Sequence, residues 1–414
     1  MRPGHDHDTG APLVALEEAR ARALSRIGRL PPSDLPLAEA HGCVVAADVP
    51  APIDLPPFTS SAMDGFAVRA GDVATAGPDR PVALRLVGEV RMGSPAEIDV
   101  KAGEAVAIPT GGVVPEGADA VVPVEQTIPE ADQVLVLTPV PGGRYVRRAG
   151  EDVRAGEVLI PAGKRLLAAD VGLLASAGLG SVPVFPRARV GILSTGDELV
   201  EPGIPLSPGR IPDANAATLH GCVLEAGGIP VSLGRVPDEP AALVRALTEA
   251  EDVDALVSSG GVSVGERDPV TAAFGSRGDV EFVEVAMQPG KPQAFGTVGG
   301  RPYFGLPGNP VSVFVSFEVF VRPALLTMMG RSPDRAEVVA TLETDVTGPR
   351  EKVQLARVRL RRSDGGWLAA PTGGRRSNLM ATMSRADGLA VIPVGIETAP
   401  AGTEVRVVRV RDDG

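Results

Sequence analysis

The sequence is poor in cysteine and histidine, the residues from which zinc sites and many nucleophilic active sites are built. Its 414 residues include two cysteines, Cys43 and Cys222, and four histidines. Two cysteines so far apart in the sequence indicate neither a disulfide framework nor a cysteine-based zinc site. This usage is typical of a protein of the reducing cytoplasm, which is the location we expect.

Sequence signals for several common functions are also missing. There is no Walker phosphate loop and no Gly-x-Gly-x-x-Gly that opens a helix after a strand, so ATP hydrolysis and nicotinamide chemistry lose support. The run Gly261-Val-Ser-Val-Gly265 matches the nucleophile elbow of serine hydrolases. That fold requires a histidine after the serine, and all four histidines precede Ser263. The sequence therefore argues against a catalytic triad.

Charge and hydropathy argue against two further classes of partner. The formal net charge of −12 disfavours nucleic acid and anionic membrane as general partners. The N-terminus has no apolar segment of the kind found in signal peptides. One stretch, 311–329, resembles a membrane span, but it contains Glu318, Arg322 and Pro323, which favours a buried helix. We expect no nucleic-acid partner and no membrane association.

The order of strand and helix patterns predicts a multidomain protein of the α/β and β classes. At roughly 100–200 residues a domain, the chain is long enough for two to four domains. Short apolar strands alternate with helices from 188 to 329, which is typical of a doubly wound α/β domain. Elsewhere, strands separated by Gly and Pro turns predict β domains. The predicted domains are an N-terminal mixed linker domain at 12–57 with 146–186, an inserted β domain at 58–145, a central α/β domain at 187–331 and a C-terminal β domain at 332–414.

Polar, glycine-rich loops follow strands of the predicted α/β domain at three places. These loops are Ser194-Thr-Gly-Asp-Glu198, Ser258-Ser-Gly-Gly261 and Pro307-Gly-Asn309. Glycines let backbone N–H groups approach an anion closely, and serine hydroxyls add further donors. Because ligands of open α/β sheets bind along the edge where strands end, we expect the three loops to form one active site. Taken alone, the loop at Ser258-Ser-Gly-Gly261 would favour an ordinary strand-to-helix turn, because glycine-rich turns are commoner than phosphate-binding loops.

A series of motifs, in the same order along the chain, resembles the motifs of one enzyme family. They are Ser61-Ala-Met-Asp-Gly-Phe-Ala-Val68, Pro109-Thr-Gly111 with Glu116-Gly-Ala-Asp-Ala-Val-Val122, Gly150-Glu-Asp152, Ser194-Thr-Gly-Asp-Glu-Leu199, Ser259-Gly-Gly-Val-Ser-Val-Gly265 with Asp268, Pro289-Gly-Lys-Pro292 and Pro307-Gly-Asn-Pro310. The chain resembles the molybdopterin molybdenumtransferases, the MoeA family, which also includes the C-terminal domain of gephyrin. Any one motif is weakly specific, whereas the whole series over most of the chain is highly specific.

The resemblance implies an assembly and a reaction. It implies an elongated, four-domain homodimer whose active site lies between subunits. In the implied reaction, adenylylated molybdopterin and molybdate react, with Mg²⁺ as the cofactor, to give molybdenum cofactor and AMP. A molybdopterin adenylyltransferase is a candidate protein partner.

The resemblance also implies roles for individual residues by motif position. The implied catalytic residues are Asp64, Thr110, Asp152, Glu198, Asp268 and Lys291. The implied substrate-binding residues are Ser259, Gly260, Gly261, Ser263, Pro307, Gly308, Asn309, Arg357 and Ser377. Glu198 and Asp268 would hold Mg²⁺, because hard cations prefer oxygen ligands, and Lys291 and Arg357 would bind oxyanions. Without the resemblance, Asp64 would be interpreted as a turn residue.

One departure from the family pattern and two alternative functions bear on this assignment. Gln288 stands where many family members have lysine, which removes one cation close to Lys291. A molybdopterin adenylyltransferase has a single α/β domain with similar Ser-Gly-Gly and Asp motifs, but it would not need 13–186 or 333–414. A scaffold or binding protein is the other alternative, although no segment resembles a dedicated peptide groove.

Overall fold

The computed structural model describes residues 12–262, 269–274, 278–374 and 376–411. The chain divides into two units, each with a hydrophobic core of its own. The first unit takes in Met1–Ser33, Gly42–Val44 and Phe185–Gly414, and the second takes in Asp34–His41 and Val45–Val184. In the first unit, helix α1 (Leu16–Leu24) packs its alanines against the core. The division into four domains stays a prediction.

The chain from Ser33 to Phe185 is mostly β-structure. Its strands are β1 (Ser33–Pro36), β2 (Val44–Val45), β3 (Val49–Pro50), β4 (Ser60–Ser61), β5 (Gly65–Val68), β6 (Val82–Glu89), β7 (Glu104–Ile108), β8 (Ala120–Pro123), β9 (Thr127–Pro129), β10 (Gln133–Val136), β11 (Val146–Arg147), β12 (Val158–Ile160) and β13 (Ser181–Phe185). Its helices are α2 (Leu37–Ala40) and α3 (Ala168–Ser176), with 3₁₀ turns at Ala70–Val73 and Val124–Gln126. The strands predicted near 82–90, 105–108 and 134–138 are confirmed.

A six-stranded sheet in the order β8-β5-β7-β6-β10-β9 forms the main core of the second unit. Successive side chains of a strand face opposite sides of a sheet. Strand β5 therefore sends Phe66 and Val68 into one apolar cluster and Ala67 into another. Because β5 is buried along its whole length, the residues just before it are held in a fixed position.

The chain from 189 to 328 alternates strands and helices, as predicted. Its strands are β14 (Arg189–Thr195), β15 (Leu199–Val200), β16 (Ile211–Pro212), β17 (Ile229–Val236), β18 (Ala255–Ser259), β19 (Val280–Glu284), β20 (Met287–Gln288), β21 (Pro292–Val298) and β22 (Arg301–Leu306). Its helices are α4 (Ala214–Ala226), α5 (Pro240–Thr248), α6 (Pro269–Phe274), α7 (Pro310–Ser316) and α8 (Arg322–Met328), with one π-helical stretch at Phe317–Val321.

The sheet of this region has the order β17-β14-β18-β22-β21-β19. Strands β17, β14, β18 and β22 are parallel, which confirms the α/β prediction, whereas β21 pairs antiparallel with both β22 and β19. Sequence patterns do not predict β21, because it begins at Pro292 and follows a turn-like Pro-Gly-Lys run. The glycines Gly299 and Gly300, both with positive φ, form the tight turn from β21 into β22.

The apolar segment Pro310–Met328 is long and apolar enough to cross a membrane by length and composition, but most of it is buried inside the protein. Val311, Phe317, Phe320 and Leu325 pack in the core of the first unit, which confirms the prediction of a buried helix. Asn309 stands at the N-cap and Pro310 at the first helical position, as predicted, although the Asn309 side chain makes no capping hydrogen bond.

The C-terminal region of the first unit is a closed sheet. Its elements are β23 (Glu337–Leu342), β24 (Val346–Thr347), β25 (Val353–Ser363), β26 (Gly366–Pro371), α9 (Met380–Ser384), β27 (Gly388–Ile392), β28 (Thr398–Ala399) and β29 (Glu404–Arg409). Strands β25-β26-β23-β29-β27 pair in that order, and β27 pairs back with β25 to close a barrel. The predicted β domain is confirmed. The expectation of strands alone was wrong, because α9 is too short to show a helical period.

The contact between β5 and β8 makes a prediction about stability. A Cβ atom on Gly65 would lie 2.0 Å from the backbone oxygen of Val122, whereas one on Gly71 would meet no atom within 4 Å. We expect Gly65→Ala to lower the free energy of unfolding of the second unit by about 2 kcal/mol or more, because backbone must move. Gly71→Ala, the matched control, should change it by about 0.5 kcal/mol or less. Thermal unfolding with hydrogen exchange in β5 tests this, and equal stability of the two variants would contradict it.

Candidate active site

The loops after β14, β18 and β22 are in contact at the carboxyl edge of the parallel strands. The Gly260 backbone N–H donates to the oxygen of Leu306 at 3.0 Å. Gly260 has φ +90°, and a Cβ atom there would lie 2.8 Å from the backbone oxygen of Thr195. A Cβ atom on Gly308 would lie 3.7 Å from the Gly260 Cα. Only glycine fits at position 260, because it permits both the positive φ and the close approach of backbone.

Buried hydroxyl groups line this edge without hydrogen-bond partners among the described residues. They belong to Ser194, Thr195 and Ser259. Ser194 and Ser259 are register partners on β14 and β18, and each is at most 1% exposed. A buried polar group without a partner costs about 1–3 kcal/mol. A cluster of such groups is typical of a site where a ligand or water completes the hydrogen bonds.

Asn215, at the start of α4, belongs to the same edge. Its Nδ2 donates to the backbone oxygen of Gly308 at 2.8 Å, while its Oδ1 is buried and has no partner in the described part of the chain. Asp213 caps α4 by accepting a hydrogen bond from the Ala216 N–H at 3.0 Å. The sequence patterns did not identify Asn215. The signal that could have found it is Asp213, an N-cap residue that marks the start of α4 two positions earlier.

Carboxylates gather where β14 and β17 end. Partial burial raises the pKa of Asp238, whereas a backbone hydrogen bond from Asp197 lowers it. The negative charges of Asp197 and Glu198 raise the pKa of Asp238 further. Mutually repelling carboxylates gain when a cation binds between them. Asp238 has no sequence signal of its own, because Asp-Glu-Pro before a helix reads as an ordinary helix start.

Two of the predicted site residues lie outside the part of the chain that the structure describes. Asp268, the predicted partner of Glu198, and Ser263 lie outside the described residues. Within the described ranges, no group of three or more His, Cys, Asp or Glu residues is arranged to hold a metal ion. The Mg²⁺ ligand set therefore stays a prediction.

The two predicted oxyanion-binding cations are both engaged by the protein itself. The Lys291 Nζ lies 3.0 Å from the Oε2 of Glu284. Arg357 donates to the backbone oxygens of Gly374 and Arg376. Burial lowers the pKa of the Arg357 guanidinium. Arg357 thus holds the backbone at Gly374 and Arg376, and these contacts favour a structural contribution to the site.

Ser377 lies beside the Pro307–Asn309 loop. Its backbone oxygen accepts a hydrogen bond from the Val311 N–H at 3.1 Å, in the first turn of α7. The C-terminal barrel and the α/β region therefore meet at this loop, within the first unit. Sequence separation gives no hint of that contact.

Two predicted residues of the second unit are brought together. The Oδ1 of Asp64 accepts hydrogen bonds from the backbone N–H of Thr110 at 2.6 Å and from its hydroxyl at 2.8 Å. These bonds, the backbone one first, lower the pKa of Asp64. Asp152 is exposed, and its backbone N–H donates to Leu55 at 3.0 Å. Asp64 therefore presents an anchored carboxylate that stays ionised.

One groove of the first unit lies away from the carboxyl edge. It has a volume of about 790 Å³ and lies between α1, the π-helical stretch and the barrel. Its wall includes Glu318, which pairs with Arg335 through two contacts of 2.9 Å and whose pKa is raised by burial. None of the edge loops lines it. The groove is roomy, but the buried hydroxyls that have no partner among the described residues, and the close-packed glycines, favour the carboxyl edge as the candidate site.

Models of known protein families match three consecutive parts of the chain. The MoeA N-terminal region, domains I and II, matches residues 14–178. A probable molybdopterin binding domain matches residues 191–327, which include the carboxyl-edge loops. The MoeA C-terminal region, domain IV, matches residues 339–410.

Individual proteins and structures resemble the chain over most of its length. Molybdopterin molybdenumtransferase 2 of Mycobacterium tuberculosis H37Rv is 42% identical over 384 residues, which cover 91% of this chain and 94% of that protein. The Haemophilus influenzae molybdopterin molybdenumtransferase is 36% identical over 343 residues, 80% of this chain and 82% of that protein. A crystal structure of the molybdopterin biosynthesis MoeA protein from Pyrococcus horikoshii has a TM-score of 0.81 at 33% identity and covers 97% of this chain and all of its own.

The Asp64–Thr110 pair makes a prediction about titration. Thr110→Val removes the hydroxyl donor and should move the pKa of Asp64 upward toward its ordinary value, whereas Thr110→Ser should preserve it. Because the pKa is depressed in the folded state, the bonds stabilise the fold at neutral pH and lose this effect as the pH falls through that pKa. Carboxyl ¹³C NMR, with Asp64→Asn to assign the signal, measures the shift. An unchanged pKa in Thr110→Val would show that the hydroxyl does not act on Asp64.

Proposed function

Since the chain belongs to the MoeA family of molybdopterin molybdenumtransferases, we propose that it inserts molybdate into adenylylated molybdopterin and releases AMP in a Mg²⁺-dependent reaction. Members of this family are transferases of molybdenum cofactor biosynthesis. The observation that carries the finer proposal is the set of buried, unpartnered hydroxyls beside Gly260 and Gly308. These donors and the adjoining backbone suit a ligand that is rich in phosphate and amide groups.

The proposed reaction gathers several anions in one place. In cleavage of the phosphoanhydride, an oxygen of water or of molybdate forms a new bond to phosphorus as the bridging P–O bond breaks, and AMP departs with the negative charge that builds on the departing oxygen. Preorganised donors stabilise such charge, because they need no reorientation during the reaction. Ser194, Thr195 and Ser259 supply hydroxyls, and Asn215 fixes the Gly308 carbonyl so that the neighbouring loop keeps its shape.

The carboxylates at the ends of β14 and β17 fit a role in holding Mg²⁺. Burial first, and then the charges of Asp197 and Glu198, raise the pKa of Asp238, and a cation would relieve the repulsion between these carboxylates. By the family resemblance Asp268 completes the set. Bound Mg²⁺ would neutralise phosphate charge and orient the phosphates.

The assembly we propose is a cytoplasmic homodimer with the active site between subunits. In this arrangement Asp64, Thr110 and Asp152 of one subunit face the carboxyl edge of the other. The anchored, ionised carboxylate of Asp64 then acts as a fixed anion at the rim of the site. A molybdopterin adenylyltransferase would supply the adenylylated substrate.

One assay tests the reaction directly. Purified protein is incubated with adenylylated molybdopterin, and AMP is followed by chromatography. We expect AMP only when both molybdate and Mg²⁺ are present. AMP release at the same rate with and without molybdate would contradict the proposal. Efficient adenylylation of molybdopterin from ATP would instead identify the protein as an adenylyltransferase.

Removal of single carboxylates tests the metal site. Glu198→Gln and Asp238→Asn should each raise the Mg²⁺ concentration that gives half-maximal AMP release by on the order of tenfold, because each removes one charged oxygen donor. Glu201→Gln changes an exposed carboxylate a few residues away and serves as the matched control. An unchanged Mg²⁺ requirement in both site variants would show that these carboxylates do not hold the cation.

A further inference from the structure

The segment from Glu284 to Pro292 has no net charge. It reads Glu-Val-Ala-Met-Gln-Pro-Gly-Lys-Pro, so Lys291 is its single cation and Glu284 its single anion. Gln288 adds no charge, and its Oε1 is buried without a partner among the described residues. An oxyanion that approaches Lys291 therefore meets a cation whose charge is already balanced.

Strand pairing holds Lys291 and Glu284 at the carboxyl edge. Glu284 ends β19 and lies in register with Pro292 of β21. Strand β21 pairs antiparallel with β22, with Ala294 opposite Gly305. Continued for two residues, this register brings Pro292 level with Pro307. Lys291 thus stands beside the loop that is packed against Gly260.

The turn that carries Lys291 is fixed from both sides. Gln293 donates to the backbone oxygen of Gly290 at 2.7 Å and to the Ser316 hydroxyl at 2.6 Å. The Val285 N–H donates to the backbone oxygen of Lys291 at 2.7 Å. The backbone therefore cannot carry Lys291 away from Glu284 without breaking buried hydrogen bonds.

The ion pair is buried unequally. The Glu284 side chain is 4% exposed and that of Lys291 is 19% exposed, and the charged atoms are 3.0 Å apart. Loss of the counter-ion of a buried carboxylate is destabilising, so Lys291 also contributes to the stability of the fold. An ammonium has three N–H donors, which leaves Lys291 able to bind a second anion on its more exposed side.

We propose that Glu284 sets the affinity of this site for oxyanions, by acting as an internal counter-ion that competes with molybdate for Lys291. The proposal rests on the proposed function, in which Lys291 binds the oxyanion. A dianion at Lys291 lies within a few ångströms of the Glu284 carboxylate, and in a partly buried site that repulsion is poorly screened. The protein then requires more molybdate than Lys291 alone would demand.

The test compares Glu284→Gln with a matched control on the same strand. Glu281→Gln also removes a carboxylate from β19, but Glu281 is more exposed and pairs with Arg22. For each variant the molybdate concentration that gives half-maximal AMP release is measured in excess Mg²⁺. Glu284→Gln should lower this concentration by on the order of tenfold, and sulfate should become a stronger competitive inhibitor, because less repulsion opposes either dianion. Glu281→Gln should leave both values unchanged.

Lys291 variants separate failure of this proposal from failure of the proposed function. Lys291→Gln should raise the molybdate requirement, and Glu284→Gln should have a smaller effect when Lys291→Gln is also present. An unchanged requirement in Lys291→Gln would remove Lys291 from the oxyanion site. A raised requirement in Lys291→Gln, together with an unchanged or raised one in Glu284→Gln, would overturn the counter-ion role alone.

A second substitution keeps the proposal testable if Glu284→Gln does not fold. Glu284→Asp keeps the charge but withdraws it by one methylene group from Lys291. It should lower the molybdate requirement by a smaller factor than the full loss of charge. A requirement at or above that of the unmodified protein would overturn the proposal.

Discussion

The close approach of backbone at the carboxyl edge holds the candidate active site together. Gly260 packs against Thr195 on one side and faces Gly308 on the other, and Asn215 ties the Gly308 carbonyl to the start of α4. These residues are far apart in sequence, so the site exists only when the parallel strands are paired in register. Among the residues that the structure describes, the same packing leaves buried hydroxyls without partners, which is a cost that ligand binding can recover.

Local patterns were sufficient to predict the loops but not their neighbours. Gly260 and Gly308 each follow an apolar strand directly in the sequence. The loops at the carboxyl edge could therefore be predicted from local sequence patterns. Asp238 and Asn215 could not be predicted as site residues in this way, because neither lies in a glycine-rich run. Their position depends on the order β17-β14-β18-β22. Strand β21 was missed for a different reason, since its first residue is a proline.

The electrostatics of the site also depend on tertiary structure. Lys291 and Arg357 are identifiable by motif position, but their partners are not. The Lys291–Glu284 contact arises from the register of β19 against β21, and Arg357 donates to the backbone oxygens of Gly374 and Arg376. Carboxylates, by contrast, cluster near Asp238. Under the proposed function a divalent cation would balance the charge of phosphate and molybdate, because Lys291 and Arg357 are already engaged by the protein.

The account places molybdate at the carboxyl edge of the parallel strands, and the element itself can report its position. Crystals of the protein with adenylylated molybdopterin and molybdate, measured on both sides of the molybdenum absorption edge, would locate the metal by anomalous scattering. The account predicts a peak beside Lys291 and the loops that follow β14, β18 and β22. A peak in the groove beside Glu318 and Arg335, with none at the edge, would contradict it.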